Sequence, residues 1–280
     1  MSDIYADNIA RDERELKRLN TQLDYINTNI GYLLHPAVAA SLPPNPRIAD
    51  IGTGTARFLL LLREQYPNAI LDGYDISPKL FPPENRLPPN VSLGVLDMKQ
   101  PVPKELHGKY DVVHVRLMMA AMLPTEWPFV VQNLSELLRP GGFLQWEETD
   151  FVQAKYLRSL PEGKVDSLRF MGHQFGDGLR ERFEHGWSTL PDQMRDAGLS
   201  PVLTDVAATD RVPETRKILT TSCAGLFFAW ARMMADRGAP GAMTHDELDE
   251  MEKKVNDEIS SGAYLSPSPK DPTYVHILTR

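Results

Sequence analysis

A glycine-containing turn between two apolar segments constrains the fold of this chain more than any other feature. The turn is Asp50–Ala56, with a short apolar approach at 47–49 before it and an apolar run at 57–62 after it. Gly52 permits backbone angles that other residues resist, and Gly54 lets the backbone come close to a ligand. The helix that follows begins with free amide donors. The order of strand, glycine turn and helix therefore predicts a site for a nucleotide-type cofactor.

The positions of the small residues in this turn indicate which cofactor binds. A dinucleotide site carries a third glycine in the pattern G-x-G-x-x-G, and here that glycine would fall on Arg57, a poor substitute beside a pyrophosphate. Ala56 supplies the small residue instead, and an acid, Asp50, lies two positions before the first glycine. The turn resembles motif I of the class I S-adenosylmethionine-dependent methyltransferases. An ordinary strand-to-helix turn is the alternative interpretation.

The segments up to residue 149 follow the order of motifs in that family. A second strand ends in Asp75, a third ends in Asp97 and Met98, and Leu138–Leu144 resembles the family's L-(R/K)-P-G-G turn before the fifth strand. The five predicted strands lie near residues 47–51, 69–75, 91–97, 110–116 and 142–148. The resemblance implies an α/β fold of Rossmann-like type, with a seven-stranded, mostly parallel sheet and helices on both faces.

The resemblance also implies a set of residues that bind S-adenosyl-L-methionine. An acid at the end of the second strand can accept both ribose hydroxyls, and the family places an acid and an apolar side chain on the adenine. Arg116 needs a carboxylate, either that of the cofactor or one within the protein. Tyrosines of the N-terminal helix reach the site or only pack for stability. The expected cofactor residues are Asp50, Gly52, Thr53, Gly54, Asp75, Ile76, Asp97, Met98, Arg116, Tyr25 and Tyr32.

The chain divides into a core and three added helical parts. Apolar residues at helical spacing over 8–30 predict an N-terminal helix, and a seventh, antiparallel strand is expected at 274–278. The expected organisation is an N-terminal helical lid (1–42), a cofactor-binding core (43–150), two substrate-binding helical insertions (151–187 and 211–262) and the remainder of the core sheet (188–210 and 263–280). These added parts would cover the carboxyl ends of the strands, where α/β sheets bind ligands.

Methyl transfer to a hydroxyl needs a base, so titratable residues near the fifth strand and in the insertions are candidates. The expected catalytic residues are His173, Glu147 and Asp150, with a packing or solvated role as the alternative for each. Apolar side chains suggest a roomy acceptor pocket, and the expected substrate residues are Met118, Met119, Trp146, Phe170, Phe175 and Phe227. Metal-ligand spacing is absent, and no metal is expected.

Further motifs indicate the class of acceptor. An N-terminal helix followed by Gly31–Pro36, D-x-x-H-x-R on the fourth strand and Q-W-x-E on the fifth resemble methyltransferases of fungal secondary metabolism. This resemblance implies a bulky hydrophobic acceptor such as an alkaloid, methylated on oxygen as in indole-alkaloid O-methyltransferases of the oxaline and meleagrin type. Two alternatives stay open: N-methylation of a similar scaffold, and a non-methylating regulator or pericyclase that retains the cofactor.

The composition of the chain restricts the classes of partner and the cellular location that can be expected. A net charge of −8 argues against a dedicated nucleic-acid binder. The single cysteine, Cys223, and the polar N-terminus favour a reducing, cytoplasmic location, and neither a signal peptide nor a membrane span is expected. The apolar segment at 219–235 fits the core, the lid or the interface of a homodimer. The expected partner is a small-molecule acceptor.

Overall fold

The computed structural model describes residues 9–149, 154–186, 188–208, 211–266 and 275–278, the last range as backbone only. The strands in these ranges are β1 Arg47–Ile51, β2 Ile70–Asp75, β3 Val91–Val95, β4 Tyr110–Arg116, β5 Leu138–Glu148, β6 Lys155–Arg158, β7 Leu203–Val206, β8 Ala263–Ser266 and β9 Val275–Leu278. The α-helices there are α1 Glu13–Ile30, α2 Pro36–Ala39, α3 Arg57–Gln65, α4 Trp127–Ser135, α5 Asp166–Gly178, α6 Arg180–Phe183, α7 Leu190–Asp196, α8 Arg216–Asp236 and α9 His245–Ser260.

The main sheet has the strand order β3-β2-β1-β4-β5-β9-β7. The first five strands are parallel, and β9 lies antiparallel between β5 and β7. Residues on both faces of β4 are buried, as expected for a parallel strand covered by helices on both sides. The Rossmann-like fold predicted from the sequence is confirmed, including the antiparallel direction of the last strand.

Local sequence signals define where the long helices begin and end. The side chain of Asp12 accepts a hydrogen bond from the amide of Glu15 at the start of α1, and Gly31 in the left-handed region ends that helix. Thr244 and Glu247 form a capping box at the start of α9. The caps at Asp12 and Thr244 satisfy amide groups, and the amide of Gly31 satisfies the carbonyl of Asn27, so these residues fix the ends of the helices.

The apolar helix α8 is a central element of the helical layer. By length and composition alone, the helical segment Pro213–Asp236 could cross a membrane. In the structure, half of its most apolar window is buried, and α8 contacts α1, α5, α9 and β8. Leu219, Cys223, Phe227 and Phe228 are buried in the core. Of the three roles left open for this segment, these contacts support a core helix.

A second, two-stranded sheet joins the predicted insertions. β6 pairs antiparallel with β8, with Tyr156 opposite Leu265. Residues 263–266 had been expected in the main sheet, and their pairing with β6 corrects that expectation. Since α5 contacts both α8 and α9, the segments on either side of β7 form one layer rather than two separate insertions.

Candidate functional site

A cavity lies at the carboxyl ends of β1 to β4, the edge of a parallel sheet where ligands bind. The glycine turn after β1 forms its floor, and the ends of β2 and β3 form one side. Helix α1 and the segment before it contribute Ile9, Arg11, Arg18, Leu19, Gln22 and Leu23 to the lining. Single side chains of α5, α6 and α8 also line it, so most of the chain meets at this cavity.

The backbone of the glycine turn is shaped for close approach. Gly52 and Gly54 have positive φ angles of 71° and 52°, and Ala56 has a φ of 59°. A Cβ atom on Gly52 would lie 2.7 Å from Sδ of Met118, too close for the side chain to stay in place. The Thr53 hydroxyl donates to Oδ2 of Asp50 at 2.7 Å, which fixes the turn. The turn therefore needs glycine at position 52, and its backbone borders the cavity directly.

Asp75 presents a buried carboxylate to the cavity at the end of β2. Its Oδ1 accepts from the amide of Ser77 at 3.1 Å, and its Oδ2 accepts from the amide of Gly54 at 3.0 Å. Burial raises the pKa of Asp75, while these amides and Arg11, 3.6 Å away, oppose the rise. Each oxygen retains a second lone pair, so the carboxylate can accept ribose hydroxyls.

The next strand end supplies the groups expected at the base of a nucleoside. Asp97 and Met98 follow β3, and both are buried and line the cavity. Oδ1 of Asp97 accepts the amide of Lys99 at 3.0 Å, which orients the carboxylate. Ile76 and Leu96 complete an apolar surface beside these acids. An acid next to apolar side chains fits an adenine, which carries an amine on an apolar ring.

Arg116 provides a cation whose hydrogen-bonding capacity is unused among the described residues. It lines the cavity at the end of β4, and its Nη1 is buried without a hydrogen-bond partner in the described part of the chain. The nearest acid atom is Oε2 of Glu147, 4.0 Å from Nη1, which is too long for a hydrogen bond. A buried guanidinium nitrogen in this state is costly, so its position fits a carboxylate of the ligand. The site therefore fits S-adenosylmethionine at both ends.

Comparisons with known proteins agree with this geometry. Residues 49–144 match the family model described as a methyltransferase domain. The chain is 30% identical over 260 residues to N-methyltransferase tcpN of Claviceps purpurea, an alignment that covers 89% of this chain and 90% of that protein. This chain belongs to the class I S-adenosylmethionine-dependent methyltransferases. S-adenosylmethionine is its cofactor.

Other relatives match shorter parts or only the fold. Methyltransferase grgD of a Penicillium species is 42% identical over 149 residues, and this alignment covers 49% of the chain and 50% of grgD. The chain thus spans about half the length of that relative. A crystal structure described as a methyltransferase from an antibiotic biosynthesis pathway of Anabaena variabilis has a TM-score of 0.56 at 15% identity, covering 87% of this chain and 96% of that one. At this identity the likeness shows the methyltransferase fold.

Two tyrosines predicted at the cofactor lie elsewhere in this methyltransferase. Tyr25 is buried beside Ser222 and Cys223, and the hydroxyl of Tyr32 donates to Oδ2 of Asp205 at 2.5 Å. Neither residue lines the cavity, which corrects the prediction. Helix α1 lines the cavity with residues nearer its amino end than Tyr25, namely Arg18, Leu19, Gln22 and Leu23. Their i, i+1, i+4, i+5 spacing marks one face of the helix, but the sequence alone does not show which face turns inward.

Two of the three predicted catalytic residues, His173 and Glu147, do not line the cavity. His173 is exposed on α5, outside the cavity lining, and its ring lies 5.6 Å from the ring of Tyr156. Glu147 is buried behind the lining and accepts from Nε2 of Gln145 at 2.8 Å. Asp150 lies outside the described residues. His173 is therefore a surface residue, because the helix that carries it turns Phe175 towards the cavity instead.

His114 is the imidazole that does line the cavity. Its Nδ1 lies 2.7 Å from Oδ1 of Asp50, its Nε2 lies 3.3 Å from Oε1 of Glu147, and its ring stacks on Phe58. Burial disfavours the charged ring, but the hydrogen bonds and charges of both carboxylates raise the pKa of His114 overall. A protonated ring that donates to two acids is a poor base. These contacts give His114 a structural role at the base of the cavity.

The predicted acceptor residues divide into two groups. Met118, Met119 and Phe175 line the cavity, next to Ala120, Ala121, Phe183 and Leu226. Trp146 is fully buried and donates from its indole nitrogen to Glu148 at 2.8 Å, and Phe227 is buried behind Phe175. Phe170 is 43% exposed on the outer face of α5. The prediction is wrong for these three aromatics, because composition does not reveal which side of a helix or strand faces the ligand.

Metal ligation has no support in the described part of the chain. In those ranges no three or more histidine, cysteine, aspartate or glutamate side chains come together in a way that could hold a metal ion.

Glu148 leads to a testable dependence of stability on pH. Its Oε1 accepts from the amide of Met118 at 2.7 Å, and burial raises its pKa to about 7. Because the folded protein holds the proton of Glu148 more tightly than the unfolded chain does, this group stabilises the fold fully at pH values below its unfolded pKa. The stabilisation is lost as the pH rises through about 7, the folded-state pKa. We expect the wild-type free energy of unfolding to fall between pH 5 and pH 8 by about 3 kcal/mol more than that of Glu148→Gln.

Urea unfolding at several pH values tests this expectation. The comparison uses the slopes with pH, so any fixed cost of the amide in Glu148→Gln cancels. Equal slopes for the two proteins would show that Glu148 is ionised in the fold at the pH values tested.

Proposed function

We propose that this methyltransferase transfers the methyl group of S-adenosylmethionine to a hydrophobic small molecule of fungal secondary metabolism. The observation that carries the proposal is the composition of the cavity at the carboxyl ends of β1 to β4. Its cofactor end carries Asp75, Asp97 and Arg116, and its other end is lined by methionine, alanine, leucine and phenylalanine side chains. An apolar wall next to the reacting group selects an apolar acceptor and excludes water.

Nitrogen is the favoured acceptor atom in this proposal. The relatives tcpN and sirN, from Claviceps purpurea and Leptosphaeria maculans, are named N-methyltransferases, and sirN is 34% identical over 178 residues, 63% of this chain and 58% of sirN. A hydroxyl acceptor needs a base, and the imidazole in the described lining, His114, is held between two carboxylates. A nitrogen with an available lone pair needs no strong base. The hydroxyl acceptor expected from the sequence is the second candidate.

The residues of the chain contribute positioning rather than covalent chemistry. S-adenosylmethionine supplies an electrophilic methyl group on a positively charged sulfur. Asp75 and Asp97 would hold its nucleoside, and Arg116 would hold its carboxylate. Helix α1 covers the cavity, and Met118 and Met119 restrict the acceptor, so the two reactants meet in a dry space with few orientations.

A regulator is the alternative from outside the enzymes. The chain is 24% identical over 203 residues to the secondary metabolism regulator laeA of Aspergillus niger, covering 68% of this chain and 52% of laeA. Formation of S-adenosylhomocysteine separates the two readings, because a protein that only retains its cofactor does not turn it over.

Paired acceptors provide the experiment. The protein is incubated with S-adenosylmethionine and with aromatic scaffolds offered in two forms, one carrying a secondary amine and one a hydroxyl at the same position. We expect S-adenosylhomocysteine and a product 14 mass units heavier with the nitrogen form, at least about tenfold faster than with the hydroxyl form. Faster reaction of the hydroxyl form would overturn the choice of nitrogen. Gly52→Val serves as the inactive control, because valine is strained at a φ of 71° and its Cβ would meet Met118 at the cavity wall.

A further inference from the structure

A row of buried polar side chains crosses the middle of the sheet below the cavity. Asp50 of β1, His114 of β4 and Gln145 of β5 lie in register on three adjacent parallel strands. All three are almost completely buried, and Gln145 is 0% exposed. Buried polar groups are costly unless they are paired, so such a row across a sheet core needs a structural reason.

Hydrogen bonds connect this row to the cofactor turn at one end. The Thr53 hydroxyl donates to Asp50, whose other oxygen lies 2.7 Å from Nδ1 of His114. Nε2 of His114 lies 3.3 Å from Oε1 of Glu147, and the same oxygen accepts from Nε2 of Gln145 at 2.8 Å. A continuous series of buried polar contacts thus connects the glycine turn to Gln145.

At its other end the row holds the connector between α1 and α2, residues 31–35. The amide of His35 donates to Oε1 of Gln145 at 2.9 Å, and Nε2 of Gln145 donates to the carbonyl of Leu33 at 2.9 Å. One side-chain amide therefore satisfies a donor and an acceptor of the connector, as a neighbouring strand would. These bonds fix the point from which α1 extends back over the cavity.

Helix α1 also contacts the glycine turn directly. The Thr55 hydroxyl donates to Oδ1 of Asn20 at 2.6 Å. The turn is therefore joined to α1 twice, once near the middle of the helix and once through the buried row below its carboxyl end. Two attachments at different points along the chain of α1 and its connector hold the helix in one position relative to the turn.

We propose that Gln145 is a positioning residue that ties the covering helix α1 to the cofactor turn, so that occupancy of the turn and closure of α1 are coupled. The coupling acts through the connector and through Glu147, His114 and Asp50. This coupling depends on the cofactor being bound and does not depend on which acceptor is present. Loss of Gln145 leaves the cofactor contacts of Asp75 and Arg116 intact and lets α1 move away more often.

The first test compares Gln145→Met with Tyr110→Phe. Methionine keeps the length of the side chain and removes its hydrogen bonds. Tyr110→Phe removes buried hydrogen bonds to Tyr74 and Asp72 at the far end of β4, so it controls for a general loss of stability. The measurements are the dissociation rate of S-adenosylhomocysteine and hydrogen exchange of the amides in 13–30, with and without that ligand.

We expect Gln145→Met to speed dissociation about tenfold, the effect of losing about one net hydrogen bond, and to raise exchange in α1. Tyr110→Phe should change both by less than about twofold. Equal effects in the two variants would overturn the proposal and leave Gln145 with a purely structural role. Failure of the wild type to bind the ligand would overturn the proposal together with the cofactor function. Binding without turnover of any acceptor would overturn the proposed function alone.

A second pair of variants tests the same link without touching the core. His35 has a φ of −53°, which proline can adopt, so His35→Pro removes the amide donor to Gln145. His35→Ala removes the imidazole but keeps that donor. We expect S-adenosylhomocysteine to dissociate about fivefold faster from the proline variant than from the alanine variant. The same rate for both would contradict the role of the connector.

Discussion

Replacement of Asp75 by alanine is expected to weaken binding of S-adenosylhomocysteine by about 2 kcal/mol, or about 30-fold in the dissociation constant. The carboxylate would hold the ribose, and its removal also leaves the amides of Gly54 and Ser77 without their acceptor. Titration calorimetry with purified wild type and variant gives both constants directly. Because S-adenosylhomocysteine has no transferable methyl group, the measurement needs no acceptor and does not depend on its identity.

Two further variants identify the cause of the affinity lost in Asp75→Ala. Asp75→Asn keeps one acceptor oxygen and is expected to bind with intermediate affinity. Asp192→Ala removes the same charge from an exposed position on α7, where the carboxylate pairs with Arg195, and is expected to bind as the wild type does. An affinity of Asp75→Ala within about twofold of the wild type would refute the assignment of Asp75 to the ribose, because loss of a charged hydrogen bond costs more.

Replacement of His114 by leucine is expected to lower the free energy of unfolding by about 3 to 5 kcal/mol. Asp50 and Glu147 are both buried, and the protonated ring between them offsets one of their two negative charges. Leucine leaves two buried carboxylates with the shared cation removed. Urea unfolding measures the change, and His107→Leu, which alters a partly exposed histidine, is expected to stay within about 0.5 kcal/mol of the wild type.

The pH dependence of this variant series distinguishes charge from packing. The folded-state pKa of His114 is raised, so its contribution is complete below the unfolded value and is lost as the pH rises through the folded value. The difference in stability between wild type and His114→Gln should therefore be largest near pH 6 and decrease at higher pH. A difference that is constant with pH would assign the effect to packing against Phe58 instead. Glu148 is present in both proteins, so its titration cancels.

The part of the site that follows strand ends could be predicted from the sequence. Gly52, Asp75 and Asp97 lie at the ends of parallel strands, and their positions depend on short-range order along the chain: strand, turn, helix. Parallel strands bring their carboxyl ends to one edge, so residues that are distant in sequence become neighbours without further information. The prediction of the cofactor rests on this regularity, and the family comparison supports it.

Residues on helices could not be placed in the same way. Tyr25, His173 and Phe170 have the right chemistry, but each lies on a helix whose rotation about its axis is set by packing against other elements. A rotation of about 100° separates consecutive residues of a helix, so neighbours in sequence face different environments. Pairing of β6 with β8 was missed for a related reason: the two strands are about a hundred residues apart, and neither carries a local signal for its partner.

The position of β9 has a consequence for the order in which this protein is assembled. The strand at 275–278 is inserted between β5 and β7, so β7 has no neighbour in the main sheet until these late residues arrive. During synthesis the first five strands can pair as they emerge, while β7 has no strand of the main sheet to pair with until β9 follows. Removal of the four residues of β9 would therefore leave β7 without a partner in the main sheet, although the cavity at β1 to β4 would keep its walls.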